Sequence, residues 1–407
     1  MSTRNEIHVI GAGLAGLAAA AFVARAGLPV VVHESRDRLG GRATTDERDG
    51  FRFDQGPHAL YRGGAAERVL AELGIQPRGS APDVRGVVVR SGRLHRAPAG
   101  APSLLGTTAL GWRGKLQLAR LLQRLPRLRP AEHAHRTAEE WTEATVRDAR
   151  ARELLAMLVR LTTYANHPRA MSADVAIQML RAGLGPGVRY LERGWDQLVD
   201  ALAATPGVRI AESGALRELP DAAAVVLATG SPAAAAGLAG VPLDRLAVGP
   251  AAEVACLDLG IRGEPPHPVA LGLDVPIYAS HHSAPGGRAP EGHSVVALAE
   301  YLAPGVEPSS ERLDAFAGTM GIARESVVAR RYLHRMVSCT AIPVASHGGL
   351  AGRPDVDVLA RLADRPGTYV AGDWVGPEGH LADAVLASAR AAALAAVHHV
   401  ERSPVPR

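Results

Sequence analysis

Lysine is almost missing from this chain: among 45 lysines and arginines in 407 residues, Lys115 is the only lysine. Aromatic residues make up 4%, and cysteine occurs twice, at Cys256 and Cys339. Each scarcity excludes something. Two isolated cysteines without CxxC spacing exclude a disulfide framework and give no metal site, so both thiols are expected to be buried in strands. The net charge is only +4, and no basic run is dense enough to be the footprint of a nucleic-acid binder. The longest apolar stretch is broken by glycines and Arg25, which excludes it as a membrane span. The opening M-S-T-R-N-E lacks a signal-peptide pattern, so the expectation is a cytoplasmic protein. What is present is 47% hydrophobic and 21% charged, a globular composition long enough for two domains with their own cores.

The most informative stretch runs from Ile7 to Thr44. An apolar run (Ile7 to Ile10) meets Gly11, Gly13 and Gly16, then an Ala/Leu-rich run to Gly27, then Val30 to Val32 and the acid Glu34. Strand, glycine turn, helix, strand and acid in that order form a dinucleotide-binding pattern. Gly11 permits the turn, Gly13 lets backbone approach a pyrophosphate, and Gly16 lets the helix pack close. The first helical residues, Ala15 among them, offer free N–H groups and the positive end of the helix dipole to phosphates. Glu34 stands where a carboxylate takes the adenosine ribose hydroxyls. Beyond it, Arg38, Gly40, Gly41 and Arg42 form a second glycine turn with cations able to reach a diphosphate.

The run E34-S-R-D-R-L-G-G-R-A-T-T45 resembles the extended dinucleotide motif of the FAD-dependent amine oxidase and phytoene desaturase superfamily. The resemblance implies FAD as cofactor, with Glu34 and Arg42 at its ribose and diphosphate positions. It implies an α/β fold: a Rossmann-like FAD-binding domain with a doubly wound parallel sheet, joined to a discontinuous α+β substrate-binding domain. The FAD-binding domain is expected from 1–75, 190–235 and 350–407, and the substrate domain from 76–189 and 236–349. Further matches extend along the chain. Gly56, Pro57 and His58 correspond to a segment passing the flavin ring. Leu216 corresponds to an adenine contact, and Thr229 and Gly230 to an ATG segment beside the cofactor. Gly372 and Asp373 correspond to a GD pair at the diphosphate and ribityl chain, and Asp383 and Ala384 to the start of a helix facing the flavin pyrimidine. Ser388-Ala389-Arg390-Ala391-Ala392 stands where the family has SGRAA.

Between these matches the residues predict ordinary elements. Helices are expected over 65–73, 137–161, 172–182, 311–320 and 323–329. Strands are expected over 207–210, 216–219, 251–261, 275–281 and 294–302, and R85 to R96 should form a hairpin with a Ser-Gly turn. Residues 104–129 alternate leucines with arginines. That pattern fits a substrate-domain helix with a solvated basic face, or peripheral contact with a membrane surface.

A bound flavin carries the hydride chemistry, so the protein must position substrate and tune protonation. Many amine oxidases of the family use a lysine in the second half of the chain to hold a water near flavin N5, and this sequence has none there. Where the family often places an aromatic ring before the last helix, alignment on Ala384 puts His380. These departures favour a dehydrogenase or desaturase acting on a C–C bond of a small, largely apolar molecule, with O2 or another electron acceptor. Amine oxidation is the alternative, followed by an FAD-dependent isomerase or a cofactor-binding protein without activity. His380 is the first candidate for proton transfer or substrate orientation and His58 the second; for each, a structural role satisfied by a backbone carbonyl stays open.

Overall fold

The computed structural model describes residues 6–98, 101–212, 214–282 and 286–402. Five parallel strands form one sheet in the order Val208–Glu212, Val30–Glu34, Ile7–Ile10, Ala224–Leu227 and Thr368–Val370. Ile7–Ile10 and Ala224–Leu227 are buried at every position, as central strands covered on both faces must be, and this is why they read as unbroken apolar runs. On one face lie the helices Leu14–Arg25, Ala65–Glu72, Asp196–Ala203 and Ala382–Arg402. Alanine dominates this contact: Ala18 to Ala21 meet Ala389, Ala392, Ala393 and Ala396 in one cluster. Side chains this small let two helices and a sheet approach closely at little cost in rotamer entropy. The opposite face buries Leu219, Leu227, Leu359 and Trp374.

A second sheet has seven strands, ordered Val327–Cys339, Ala252–Arg262, His293–Leu302, Ile277–His281, Val269–Gly272, Val87–Arg90 and Arg93–Arg96. All its pairs are antiparallel except Val87–Arg90 with Val269–Gly272. Side chains alternate between faces with a period of two. Leu257, Leu259, Val296 and Leu298 point to one side, where Ser310–Thr319 covers them. Val254, Cys256, Tyr278, Ala299 and Tyr301 point to the other, towards the helices Trp112–Arg124, Ala149–Thr163 and Ala173–Leu184. A two-stranded ribbon, Thr45–Arg48 with Phe51–Asp54, bridges the two sheets.

Three expected elements differ. Residues 323–329 are not helical: after one short turn (Arg324–Ser326), Val327 pairs with Ile261 at the start of a 13-residue strand. The helical propensity of A-R-E yields to the pairing of β-branched Val327 and Val328 with a buried neighbour. Residues 216–219 form no strand; Leu216 and Leu219 pack beside the five-stranded sheet instead of extending it. The 137–161 helix is two, Ala138–Thr145 and Ala149–Thr163. The capping box at Thr137 and Glu140 is present. Val146, however, is extended, and the Asp148 carboxylate caps a fresh start by accepting the Ala151 N–H.

Within 104–129, Trp112–Arg124 is the long helix. Leu118 and Leu121 anchor it to the core, while Trp112 (70%), Leu116 and Leu122 stay exposed. Among the described residues, no helix is long and apolar enough to cross a membrane. Both cysteines are buried and free, each in a strand.

Candidate functional site

The site begins where the first strand ends. Gly11 (φ +105°) turns the chain so closely over Ala228 that any Cβ would strike its carbonyl oxygen. Gly16 is equally confined, against the Gly11 carbonyl and the Val9 side chain. Gly13 is different. Its backbone is extended (φ −75°), and a Cβ built on it would find nothing nearer than the Gly40 oxygen at 4.0 Å. A Cβ on Gly41 would meet only the Gly13 Cα, at 3.6 Å, and one on Gly230 would meet nothing. Protein packing therefore explains Gly11 and Gly16, and a left-handed backbone explains Gly41 (φ +56°) and Gly230 (φ +71°), but neither explains Gly13. Open space beside glycine backbone is what a close-lying diphosphate requires.

The polar groups around that space fit the same ligand. The helix Leu14–Arg25 starts at Gly13 with no side-chain cap and no acid in its first turn, so its first N–H groups, Ala15 among them, remain for an anion. Gly40 (φ +98°) holds the second glycine turn against the first through its N–H to the Ala12 carbonyl, 2.8 Å. The Glu34 carboxylate at the end of the second strand accepts the N–H groups of Ala12 (2.8 Å), Ser35 (2.8 Å) and Arg36 (3.0 Å). That fixes its position at the mouth of the turn.

Arg42 is half-buried, with 35% of its side chain accessible. Its Nη1 donates to Asp373 Oδ2 at 3.0 Å. Asp373, 1% exposed, also accepts the Thr340 N–H (3.0 Å) and hydroxyl. Burial alone would raise the Asp373 carboxyl; Arg42 and Thr340 outweigh it and hold the group below its usual range. Gly372 is clamped by Ser388, whose hydroxyl accepts the Gly372 N–H (3.0 Å) and lies 2.9 Å from its carbonyl. The serine of the family's SGRAA run thus ties the last strand to the last helix. Arg353, buried and not singled out by the sequence, donates to the carbonyls of Asp373 (2.9 Å) and Gly379 (2.5 Å).

The remaining candidates divide. Gly56 sits under the second sheet, where a Cβ would be 2.8 Å from Cys256 Sγ, and Pro57 beside it is buried. His58 donates from Nδ1 to the Gly56 carbonyl (2.9 Å) and its ring rests 5.1 Å from that of Trp195. Burial lowers its pKa, although Asp54 opposes the shift. His380 is fully buried, with Nε2 donating to the Thr163 carbonyl at 3.0 Å and Nδ1 without a partner. Burial, reinforced by Arg353, pushes His380 down to about 4, so its imidazole is neutral at physiological pH. Asp383 accepts the Ala66 N–H (2.8 Å) and caps the helix Ala65–Glu72; burial raises it to about 6. Ala384 is fully buried, Thr229 bonds the Ser231 carbonyl (3.0 Å), and Leu216 is half-buried.

Sequence reasoning missed the wall opposite. In a chain with seven tyrosines, Tyr61, Tyr164, Tyr190, Tyr278 and Tyr301 converge between the seven-stranded sheet and the helix Ala149–Thr163. The hydroxyls of Tyr190, Tyr278 and Ser280 bond one another at 2.6–2.9 Å, and Tyr164 meets Tyr301 edge-on at 6.0 Å. Tyr164 itself ends the helix Ala149–Thr163 in the left-handed conformation, φ +53°. The alternation in Ile277–His281 was the available signal for the face it uses.

Residues 14–251, more than half of the chain, match the family described as flavin containing amine oxidoreductase. A Mycobacterium tuberculosis protein assigned as a flavin-containing monoamine oxidase is 32% identical over 246 residues. The match covers 55% of this chain and 53% of the relative, so the chain spans about half the length of that curated relative. A carotenoid 3,4-desaturase of Haloarcula japonica is 44% identical over 74 residues, 18% of this chain and 15% of the desaturase. In fold, the chain is similar to an Exiguobacterium protein assigned as a protoporphyrinogen oxidase, with a TM-score of 0.72 and 20% identity over 98% of this chain and all of that one. An open glycine cradle under an uncapped helix, facing Glu34 and the Arg42–Asp373 pair, is the arrangement such a cofactor needs, and the chain belongs to the flavin-containing amine oxidoreductase family.

Proposed function

We propose that the protein is an FAD-dependent oxidoreductase that dehydrogenates a C–C bond of a small, largely apolar molecule. The observation that carries the substrate side is the state of the buried carboxylates. Among the described residues there are six: Asp54, Asp174, Asp258, Glu300, Asp373 and Asp383. Asp54, Asp258, Glu300 and Asp373 are each paired with an arginine. Asp174 accepts the N–H groups of Val175 and Leu350, and Asp383 that of Ala66. Only Glu300 keeps a free oxygen, Oε2, beside Arg312 on the sheet face covered by Ser310–Thr319; the opposite face offers no buried carboxylate for a substrate ammonium but phenols, Cys256, Leu333 and Met336. Amine oxidation is the second reading, favoured by the family match and by the mycobacterial relative. Anaerobic mixing of the purified protein with a panel of amines and of polyenes or saturated cyclic substrates decides between them: bleaching of the flavin only by amines overturns the C–C reading.

Bound FAD supplies the two-electron acceptor. The chain's part is to hold it, exclude water and orient the substrate. The glycine turns and the first helix bind the diphosphate, Glu34 the adenosine ribose, and Arg42 is kept in place by Asp373. Glu34→Ala removes a charge-assisted contact worth about 1.5–3 kcal/mol. FAD is then expected to bind roughly 10- to 100-fold more weakly, read by fluorescence titration of the apoprotein; unaltered affinity removes Glu34 from the site.

His380 serves as a neutral hydrogen-bonding group and not as a base, since its pKa near 4 leaves it unprotonated and weakly basic. His380→Ala is expected to keep the yellow colour and to slow flavin reduction. In the parent protein the reduction rate should show no ionisation from this histidine between about pH 6 and 9. A variant reduced at the parent rate puts His380 outside the chemistry.

A further inference from the structure

We infer that the substrate carries an anionic oxygen group, a carboxylate or a phosphate ester, and that Arg160 and Tyr301 receive it. The inference deepens the proposed function and rests on the substrate lying against the tyrosine-bearing face of the seven-stranded sheet.

Arg160 stands near the end of the helix Ala149–Thr163, half-buried and one turn before Tyr164. The other buried or half-buried arginines of the described residues each donate to a carboxylate or a backbone carbonyl: Arg42 to Asp373, Arg288 to Asp54, Arg331 to Asp258, Arg353 to two carbonyls. Arg160 has no hydrogen-bond or ion-pair partner among the described residues. A guanidinium partly withdrawn from water and left unpaired carries a cost that a counter-charge relieves.

Tyr301 provides the second, independent observation. Its residue is 3% exposed, and its phenolic oxygen is buried without a hydrogen-bond partner. Most buried hydroxyls are satisfied, so this one needs an explanation. Tyr301 lies within electrostatic reach of Arg160, and Tyr164 packs edge-on against its ring. Burial keeps the phenol protonated, hence a donor. A cation and an idle O–H donor within electrostatic reach of each other, linked through Tyr164, form a receptor for an oxyanion. An arginine fork with a phenol beside it suits a planar carboxylate or a phosphate, whereas its guanidinium repels a protonated amine.

The test uses the flavin-loaded full chain and four probes sharing one ring system: 1-naphthoate, 1-naphthyl phosphate, 1-naphthalenemethanol and 1-naphthylmethylamine. Calorimetric titration should rank at least one of the two anions about tenfold tighter than the alcohol, with the amine weakest; whichever anion leads tells carboxylate from phosphate. Arg160→Gln should bring the anion to the level of the alcohol, and Tyr301→Phe should weaken it by a smaller factor while sparing the alcohol. Equal binding of anion and alcohol, no binding of either anion, or an anion preference that survives Arg160→Gln overturns the inference. Flavin released from the same sample is measured by its absorbance. A flavin-replete protein without anion preference defeats this inference alone, whereas protein that takes up no flavin defeats the proposed function.

Discussion

Gly13→Ala leaves the fold standing and removes the flavin. The expectation follows from the space around three glycines that look alike in sequence. A Cβ on Gly11 or Gly16 collides with backbone carbonyl oxygens of the protein itself, so alanine there disrupts the packing of the first helix on the sheet. A Cβ on Gly13 has no protein atom nearer than 4.0 Å, and the backbone at φ −75° suits any residue. The stability cost is confined to replacing glycine by alanine at a helix N-cap, about 1 kcal/mol or less. The added methyl instead occupies the space that a diphosphate must enter, and FAD content should fall by at least tenfold. Urea denaturation of the apoprotein together with flavin absorbance of the purified variant makes the comparison. A variant that keeps its flavin, or one that unfolds as Gly16→Ala is expected to, refutes the assignment of that space.

Arg288→Leu should cost about 3–5 kcal/mol at neutral pH, the largest stability effect expected of a single side chain here. Arg288 and Asp54 are both almost completely buried, at 2.7 Å. Asp54 also accepts the Thr45 hydroxyl (2.7 Å) and the Trp195 N–H (3.1 Å), so one carboxylate joins the ribbon, the helix Asp196–Ala203 and the 286–290 loop. Burial alone would raise the Asp54 carboxyl, but Arg288, then His58 and Thr45, hold it below its usual range. A depressed acid stabilises the fold above its unfolded pKa, near 4, and that contribution is lost as pH falls through the folded value. Without Arg288 the sign reverses: the lone buried carboxylate is raised, penalises the fold at neutral pH and relaxes on protonation. The gap between parent and variant should therefore narrow from pH 7 towards pH 4 in urea unfolding. A gap independent of pH would mean that the loss is one of packing and not of charge.

His380 and Asp383 show how far a motif carries. Their positions before and within the last helix were legible, because a glycine turn followed by an alanine-rich amphipathic run is a local pattern. Their neighbours were not. His380 proves to bond the carbonyl of Thr163, 217 residues away, and Asp383 caps a helix 317 residues earlier. The expected helix over 323–329 failed for the same reason: its composition is helical, and the strand it joins, Ala252–Arg262, lies far back in the chain.

The sequence alone determined the cofactor end of this protein. Strand, glycines, helix, strand and acid fall within residues 7 to 34, and each requirement is met by backbone geometry over a few residues, which spacing records directly. The tertiary structure decided which charges neutralise one another. Arg42 finds Asp373 across 331 positions and Arg288 finds Asp54 across 234, while Arg160 finds no partner among the described residues. In a chain with 44 glycines and 41 acids to choose from, composition cannot say which glycine faces empty space or which arginine is left over. Both are properties of atoms brought together by folding.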